Sequence, residues 1–176
     1  MNFRFNKKTS VTVGLILIIV LILLDQHTKM LAVQYLMNKE DIVLIPGVFQ
    51  LHYLENTGAA FSILEGMQVL FAIITPVLVL GLFYLLFRLP LEKKFDGLYY
   101  ILVFLIAGAL GNYIDRISNN YVVDFLYFSL INFPVFNVAD CYVTVSVIIL
   151  FILILFYYKD EDLEEIKKSL KVKKNG

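Results

Sequence analysis

The sequence predicts an all-α integral membrane protein, in which four transmembrane helices carry a small extracytoplasmic β-sheet in the first outer segment. Three observations predict it. The 176-residue chain is 60% hydrophobic, well above the roughly 45–50% of soluble domains, and its mean hydropathy is +0.79. Four stretches approach the ~20 apolar residues that a bilayer crossing needs. Lys and Arg gather on one side of those stretches, which gives the spans a direction.

The elements follow in order as a single membrane domain, 1–176. Residues 11–24 are apolar but reach only about 21 Å, so the first span runs on through Asp25, Gln26 and Thr28 to about residue 31. Asp25 is thereby placed at membrane depth. The basic-then-apolar N-terminus has the form of a secretory signal, yet DQHTK is no small-residue cleavage site, so the segment is expected to stay as a span. The outer segment at about 32–67 is too long for a bare turn. Within it Ile42 to Ile45 and Val48 to Leu54 are rich in strand formers and flank Pro46-Gly47, the pattern of a small sheet on the membrane face. The second span, about 68–87, contains Pro76, an expected kink. The third covers about 97–114, a second outer segment about 115–136, and the fourth span about 137–158. The tail, 159–176, spaces Leu163, Ile166 and Leu170 helically among mixed charges and reads as a solvated or surface-lying helix that frays.

Arg4, Lys7 and Lys8 precede the first span, Arg88, Lys93 and Lys94 separate the second from the third, and Lys159 with five further lysines follows the fourth. These segments are expected in the cytoplasm, both termini included. The other two connections hold only Lys29, Lys39 and Arg116 and face outward. The formal net charge is zero, which offers no nucleic-acid partner. A single cysteine, Cys141, excludes an internal disulfide and a CxxC zinc site, and His27 and His52 form no HExxH, so no metal site is read.

Ionisable groups at membrane depth cost at least about 2.5–3.5 kcal/mol each, so each needs a partner or a task. Here they share one depth. Asp25 and Lys29 close the first span, Asn112, Asp115 and Arg116 the third, Asn137 and Asp140 open the fourth, and Asn56 and Asp124 lie in the outer segments. Span two and the inner halves of the others are almost free of them, which points to one site at the outer boundary. Asp25 and Lys29, at i and i+4, also suit a plain structural pair. Asn112 and Arg116 share a helix face and are expected inward, with Asp115 at the rim. Asn56, before Gly58, also reads as a turn former. Gly108 and Gly111 leave a groove on the third span for another helix, the substrate's or span four.

Asp124 lies between YVV and FLYF, and Asp140 heads an apolar run. Both are 16 positions apart across Pro134, so no single helix carries them, but the connection is short enough to fold one back to the other. Two carboxylates in an apolar site share one proton. That arrangement fits an aspartyl hydrolase, one group activating water and the other protonating the scissile carbonyl. It equally fits a small proton-coupled transporter or channel, or simple pairing at a helix mouth.

Five motifs decide between these: DQHTK at 25–29, ENTGAAF at 55–61, AGALGNYIDR at 107–116, VVDF at 122–125 and FNVAD at 136–140. In this order, and within four spans, the chain resembles the lipoprotein signal peptidases, the type II signal peptidases of bacteria. The resemblance implies an intramembrane aspartyl endopeptidase that cuts diacylglyceryl-modified prolipoproteins just before the lipidated cysteine, without metal or cofactor. It implies Asp124 and Asp140 as the catalytic pair, with Asn56, Asn112, Arg116, Asn137 and Asp25 orienting the pair or binding substrate. Lys29, Gly108 and Gly111 are expected to be structural. The expected setting is the bacterial cytoplasmic membrane, with the site on the extracytoplasmic face, membrane lipid around it, and the chain acting as a monomer. Neither a GxSG serine motif nor a GxGD aspartyl motif is present, so other intramembrane proteases match less well.

Overall fold

The structure, a computed structural model, describes residues 7–58, 68–90 and 92–171. Ala59, Ala60 and Phe61 of ENTGAAF, with Arg4, Lys173 and Lys174, lie outside the described residues.

Four helices are long and apolar enough to cross a membrane. They are α1 (Lys7–Leu36), α2 (Gln68–Arg88), α3 (Asp96–Asn119, entered through a 3-10 turn at Lys93–Phe95) and α4 (Val138–Ile152, continued by a π-helical turn at Leu153–Tyr157). The apolar runs dictate helix because only there can every backbone N–H and C=O be satisfied without water. Pro76 sits inside α2, which continues through it.

α3 is the central helix and packs against α1, α2 and α4. Small side chains allow this. A Cβ added at Gly108 would stand 2.7 Å from the Ala139 carbonyl of α4, and one at Gly111 would stand 2.6 Å from the Asp25 carboxylate of α1. The groove foreseen on the third span is therefore filled by α4 and α1 rather than left open. Around α3, Ile18, Leu21, Leu86, Phe95, Val103 and Ile106 form the core. On the outside, Val77, Leu80, Phe151 and Phe156 are exposed, as expected of helices whose solvent is lipid.

At one end of the bundle lies a three-stranded antiparallel sheet in the order β1-β2-β3. β1 (Ile42–Ile45) and β2 (Phe49–Asn56) form the hairpin read from the sequence. Its turn closes by a hydrogen bond from Val48 N to the Ile45 carbonyl at 3.0 Å. Gly47 takes the left-handed φ of 69° that this turn needs. The third strand corrects the expectation that the sheet belongs to the first outer segment alone. β3 (Val122–Tyr127) comes from the second segment and pairs with the other edge of β2, placing Asp124 opposite Leu54. An isolated bridge from Leu126 to Phe136 then returns the chain to the mouth of α4.

Two boundaries also differ from the sequence reading. α1 extends beyond 11–31 at both ends, and α3 runs past 114 to Asn119, so Asp115 and Arg116 are helical residues. Of the two readings of the tail, the surface-lying helix is the one found: α5 (Asp160–Leu170) lies on the end opposite the sheet with no residue fully buried, and Leu163 and Ile166 pack against the core. Arg88 Nη2 donates to the Lys171 carbonyl and Tyr84 to the Leu170 carbonyl, both at 2.6 Å. The apolar face of the helix, these two bonds and the pairing of Lys94 with Asp162 and Glu165 hold it there together.

Candidate active site

The sheet and the four helices bring one polar cluster together where β3 meets the mouths of α3 and α4. Asp124 arrives on β3, whose pairing with β2 also sets Asn56 beside it. Asn56 Nδ2 donates to Asp124 Oδ2 at 2.8 Å, while its own Oδ1 accepts from Gly58 N at 2.9 Å. Both readings of Asn56 therefore hold in one side chain: it makes the turn and touches the carboxylate.

Asp140 arrives at the third position of α4. Asn137 is the N-cap, its side chain accepting from Asp140 N at 3.0 Å, and Asp140 Oδ2 accepts from Asn137 N at 3.1 Å. This reciprocal capping box satisfies two backbone donors that a helix start leaves open. The same Asn137 also reaches the other carboxylate, Nδ2 donating to Asp124 Oδ1 at 2.6 Å. One asparagine thus holds both acids, and Asn112 supports the arrangement by donating to Asp140 Oδ1 at 2.7 Å.

Behind this pair stands a second one. Lys29 Nζ lies 2.9 Å from Asp25 Oδ2 and 2.9 Å from Asp115 Oδ2, all three side chains almost wholly buried. Asp25 also accepts from Ala139 N at 2.9 Å, which ties α1 to the first turn of α4. Asp115 accepts from Val123 N at 3.2 Å, which ties α3 to β3. Lys29 further donates to Asn112 Oδ1 at 2.9 Å, so the buried ammonium orients the amide that holds Asp140. Asp115 is not at the rim. Three residues on from Asn112, it is offset by about 60° around the helix, which turns it toward α1, where Lys29 waits, rather than toward solvent. Asp25 supports the pair through Ala139 and does not line the cleft.

The open side is a cleft of about 1120 Å³ whose lining includes Asn56, Asn112, Arg116, Asp124 and Asp140. Its opposite wall is apolar, with Phe128, Ile131, Phe133 and Val145. Arg116 stacks 4.7 Å over the Phe71 ring and makes two long bonds of 3.4 Å to the Asn112 and Gly58 carbonyls. Its Nε is buried with no partner, leaving a donor uncommitted at the cleft. Burial pushes the Asp124 carboxyl up to about 7. The Asp140 charge adds to this, and the Asn56 and Asn137 amides oppose it. Among the described residues no three His, Cys, Asp or Glu side chains gather to hold a metal ion.

Sequence reasoning passed over two features. Gln26, inside DQHTK, donates to Asp115 Oδ1 at 2.9 Å and the Gly111 carbonyl at 3.1 Å, bracing α1 on α3. Its position beside Asp25 at membrane depth was the available signal. Asp41 and His52, paired at 2.8 Å across the hairpin, stand at the cleft edge, and only the strand register brings them together.

Comparison with known proteins identifies a family. The family model described as "Signal peptidase (SPase) II" matches residues 17–156. The chain is 46% identical over 140 residues to a lipoprotein signal peptidase of Streptococcus pneumoniae, covering 80% of this chain and 90% of that one. It is 47% identical over 131 residues to one of Brevibacillus brevis, covering 74% and 87%. A similar match to one of Enterococcus faecalis has 42% identity over 154 residues, 87% and 88% of the two chains. Among solved structures, a bacterial membrane enzyme determined by the in meso method at 2.3 Å resolution superposes with a TM-score of 0.74 at 29% identity, covering 85% of this chain and 93% of that one. With the matched region spanning α1 to α4 and every motif of the cluster, the chain belongs to the signal peptidase II family.

Proposed function

We propose that this chain is an intramembrane aspartyl endopeptidase that removes the signal peptide from diacylglyceryl-modified prolipoproteins, cutting before the lipidated cysteine. The coarser part rests on family membership: it is a multi-pass membrane peptidase of lipoprotein processing. For the aspartyl mechanism one observation carries the reading. Asn137 contacts both Asp124, through Nδ2, and Asp140, through its backbone N–H, so two acids from separate elements face one cleft on a shared support.

The pair carries one proton between its members near neutral pH. A water held by the ionised carboxylate loses a proton to it while its oxygen attacks the scissile carbonyl carbon. The protonated partner gives its proton to the carbonyl oxygen, forming a neutral gem-diol. Collapse returns a proton from a gem-diol hydroxyl to the carboxylates as the carbonyl reforms. The other acid protonates the departing nitrogen, so the C–N bond breaks with no net change in the pair. Arg116, with its unspent Nε, is suited to a carbonyl of the substrate backbone, and the apolar wall to its acyl chains.

The same reading sets the sheet end on the extracytoplasmic face of a bacterial cytoplasmic membrane, with both termini inside. Its support is that Lys7, Arg88, Lys93, Lys94 and, in the tail, Lys159, Lys167, Lys168 and Lys171 fall at the opposite end. One chain supplies both acids, so a monomer suffices. A transporter would need a polar path through the bundle, and its interior below the cluster is Ile18, Leu21, Leu102, Val103 and Ile106.

The test is cleavage of a diacylglyceryl lipobox peptide by purified protein. Asp124→Asn and Asp140→Asn are each expected to lose activity by at least about a thousandfold while remaining inserted and folded. Wild-type turnover by either variant would overturn the aspartyl mechanism.

A further inference from the structure

At the end of the bundle opposite the sheet lies a second cavity, of about 260 Å³, lined by Lys7, Arg88, Lys168, Ser169 and Lys171. Four of its five walls are cationic and none is acidic. The acids of α5 are engaged elsewhere: Asp162 and Glu165 lie 3.0 Å and 2.7 Å from Lys94 Nζ, and Glu164 lies 2.7 Å from Lys167 Nζ. Ser169 Oγ donates to the Ile166 carbonyl at 2.7 Å, so its hydroxyl proton is also spent. Arg88 gives one Nη2 proton to the Lys171 carbonyl, but its Nε is buried with no partner. An orphaned guanidinium donor in a cavity lined by three ammonium groups that have no acidic partner among the described residues is an arrangement that an anion completes.

Position identifies the source of the anion. Lys7 precedes the apolar stretch Thr9–Leu36 of α1, and Arg88 ends the stretch Leu70–Arg88 of α2, so both stand where spanning helices leave the hydrocarbon. Tyr84 and Phe87, one turn and one residue before Arg88, are 45% and 41% exposed and continue the site as an apolar surface along α2. An anion held here has headgroups beside it and room for chains below.

We infer that this cavity binds the phosphate of an anionic phospholipid, with Lys7 and Arg88 contributed by the bundle and Lys168 and Lys171 by the tail helix. Arg88 supplies the planar fork suited to two phosphate oxygens, and the lysines supply point charges. The lipid then clamps α5 to α1 and α2, adding to the two carbonyl contacts that already hold it.

The experiment uses the full-length chain in neutral detergent, with bound lipid counted by native mass spectrometry and docking followed by thermal shift. Phosphatidylglycerol is expected to be retained and to raise Tm, and phosphatidylcholine to do neither. Lys168→Gln with Lys171→Gln should weaken phosphatidylglycerol binding about thirtyfold. Arg88→Gln should weaken it from the other side of the cavity, while Lys167→Gln, whose charge is paired with Glu164, should leave it unchanged. Equal retention of the two lipids, or undiminished binding by both the lysine pair and the Arg88 variant, would overturn the inference. So would the same thermal shift from inorganic phosphate at low millimolar concentration, since the site would then serve a free anion.

Discussion

Four aspartates meet at the sheet end within one network, and they divide by the partner each is given. Asp25 and Asp115 share the Lys29 ammonium, deep between α1 and α3. Among the described residues, Asp124 and Asp140 receive only amides and backbone N–H groups, and they border the cleft. The contrast teaches that depth and residue type do not distinguish scaffold from chemistry here; the sign of the nearest partner does. An ammonium neutralises a carboxylate and fixes it, whereas an amide orients it and leaves its proton exchangeable.

The largest effect that sharpens this contrast is a dissociation of activity from stability. Asp124→Asn should lose at least about a thousandfold in cleavage with a smaller loss of Tm than the next variant, because the asparagine keeps one of the two amide contacts and strands no buried charge. Lys29→Met should do the reverse in kind, since it strands two buried carboxylates; its cost is about 3–5 kcal/mol, read as lower Tm or lower yield of folded protein. Similar Tm losses in the two variants would erase the distinction. Gly111→Ala comes next, because its methyl would meet Asp25 Oδ2 at 2.6 Å, and about 1–3 kcal/mol of destabilisation is expected by thermal unfolding.

The smallest effect is on pH dependence. Asp124 is raised from 3.8 to about 7, so the proton it holds is lost as pH rises through that value, and cleavage should fall above about pH 7. The native state also binds this proton more tightly than the unfolded chain. Stability from this group therefore declines between about pH 4 and pH 7 and is level above. Asn56 donates to the ionised form and lowers the value, so Asn56→Ala should move the alkaline limb upward, by about half a unit to one unit. A limb that moves downward would mean that Asn56 acts on another group.

Much of this was legible in the chain because membrane spans announce themselves and unexpected charge within them is conspicuous. Asp25, Asn112, Arg116, Asn137 and Asp140 could all be placed at one depth by counting residues along helices. Three things could not. Periodicity gave the angle between Asp115 and Asn112 but not which helix stood at that angle, so Asp115 was assigned to the rim when Lys29 occupied that direction. VVDFLY is a good strand sequence, yet its partner β2 lies 68 residues away at the Asn56–Asp124 contact, and pairing over such a separation leaves no local trace. In the tail, the spacing of Leu163 and Ile166 marked an apolar helix face, but not that Lys94 would pair with Asp162 and Glu165 to hold it on the bundle.

Asp140 is both the acid at the cleft and the third residue of the capping box that starts α4. Its position is therefore pleiotropic. Asparagine keeps an acceptor for the Asn137 N–H but gives up the carboxylate; alanine forfeits both. Glutamate keeps the charge, but its extra methylene displaces the carboxylate from a donor fixed by the helix geometry.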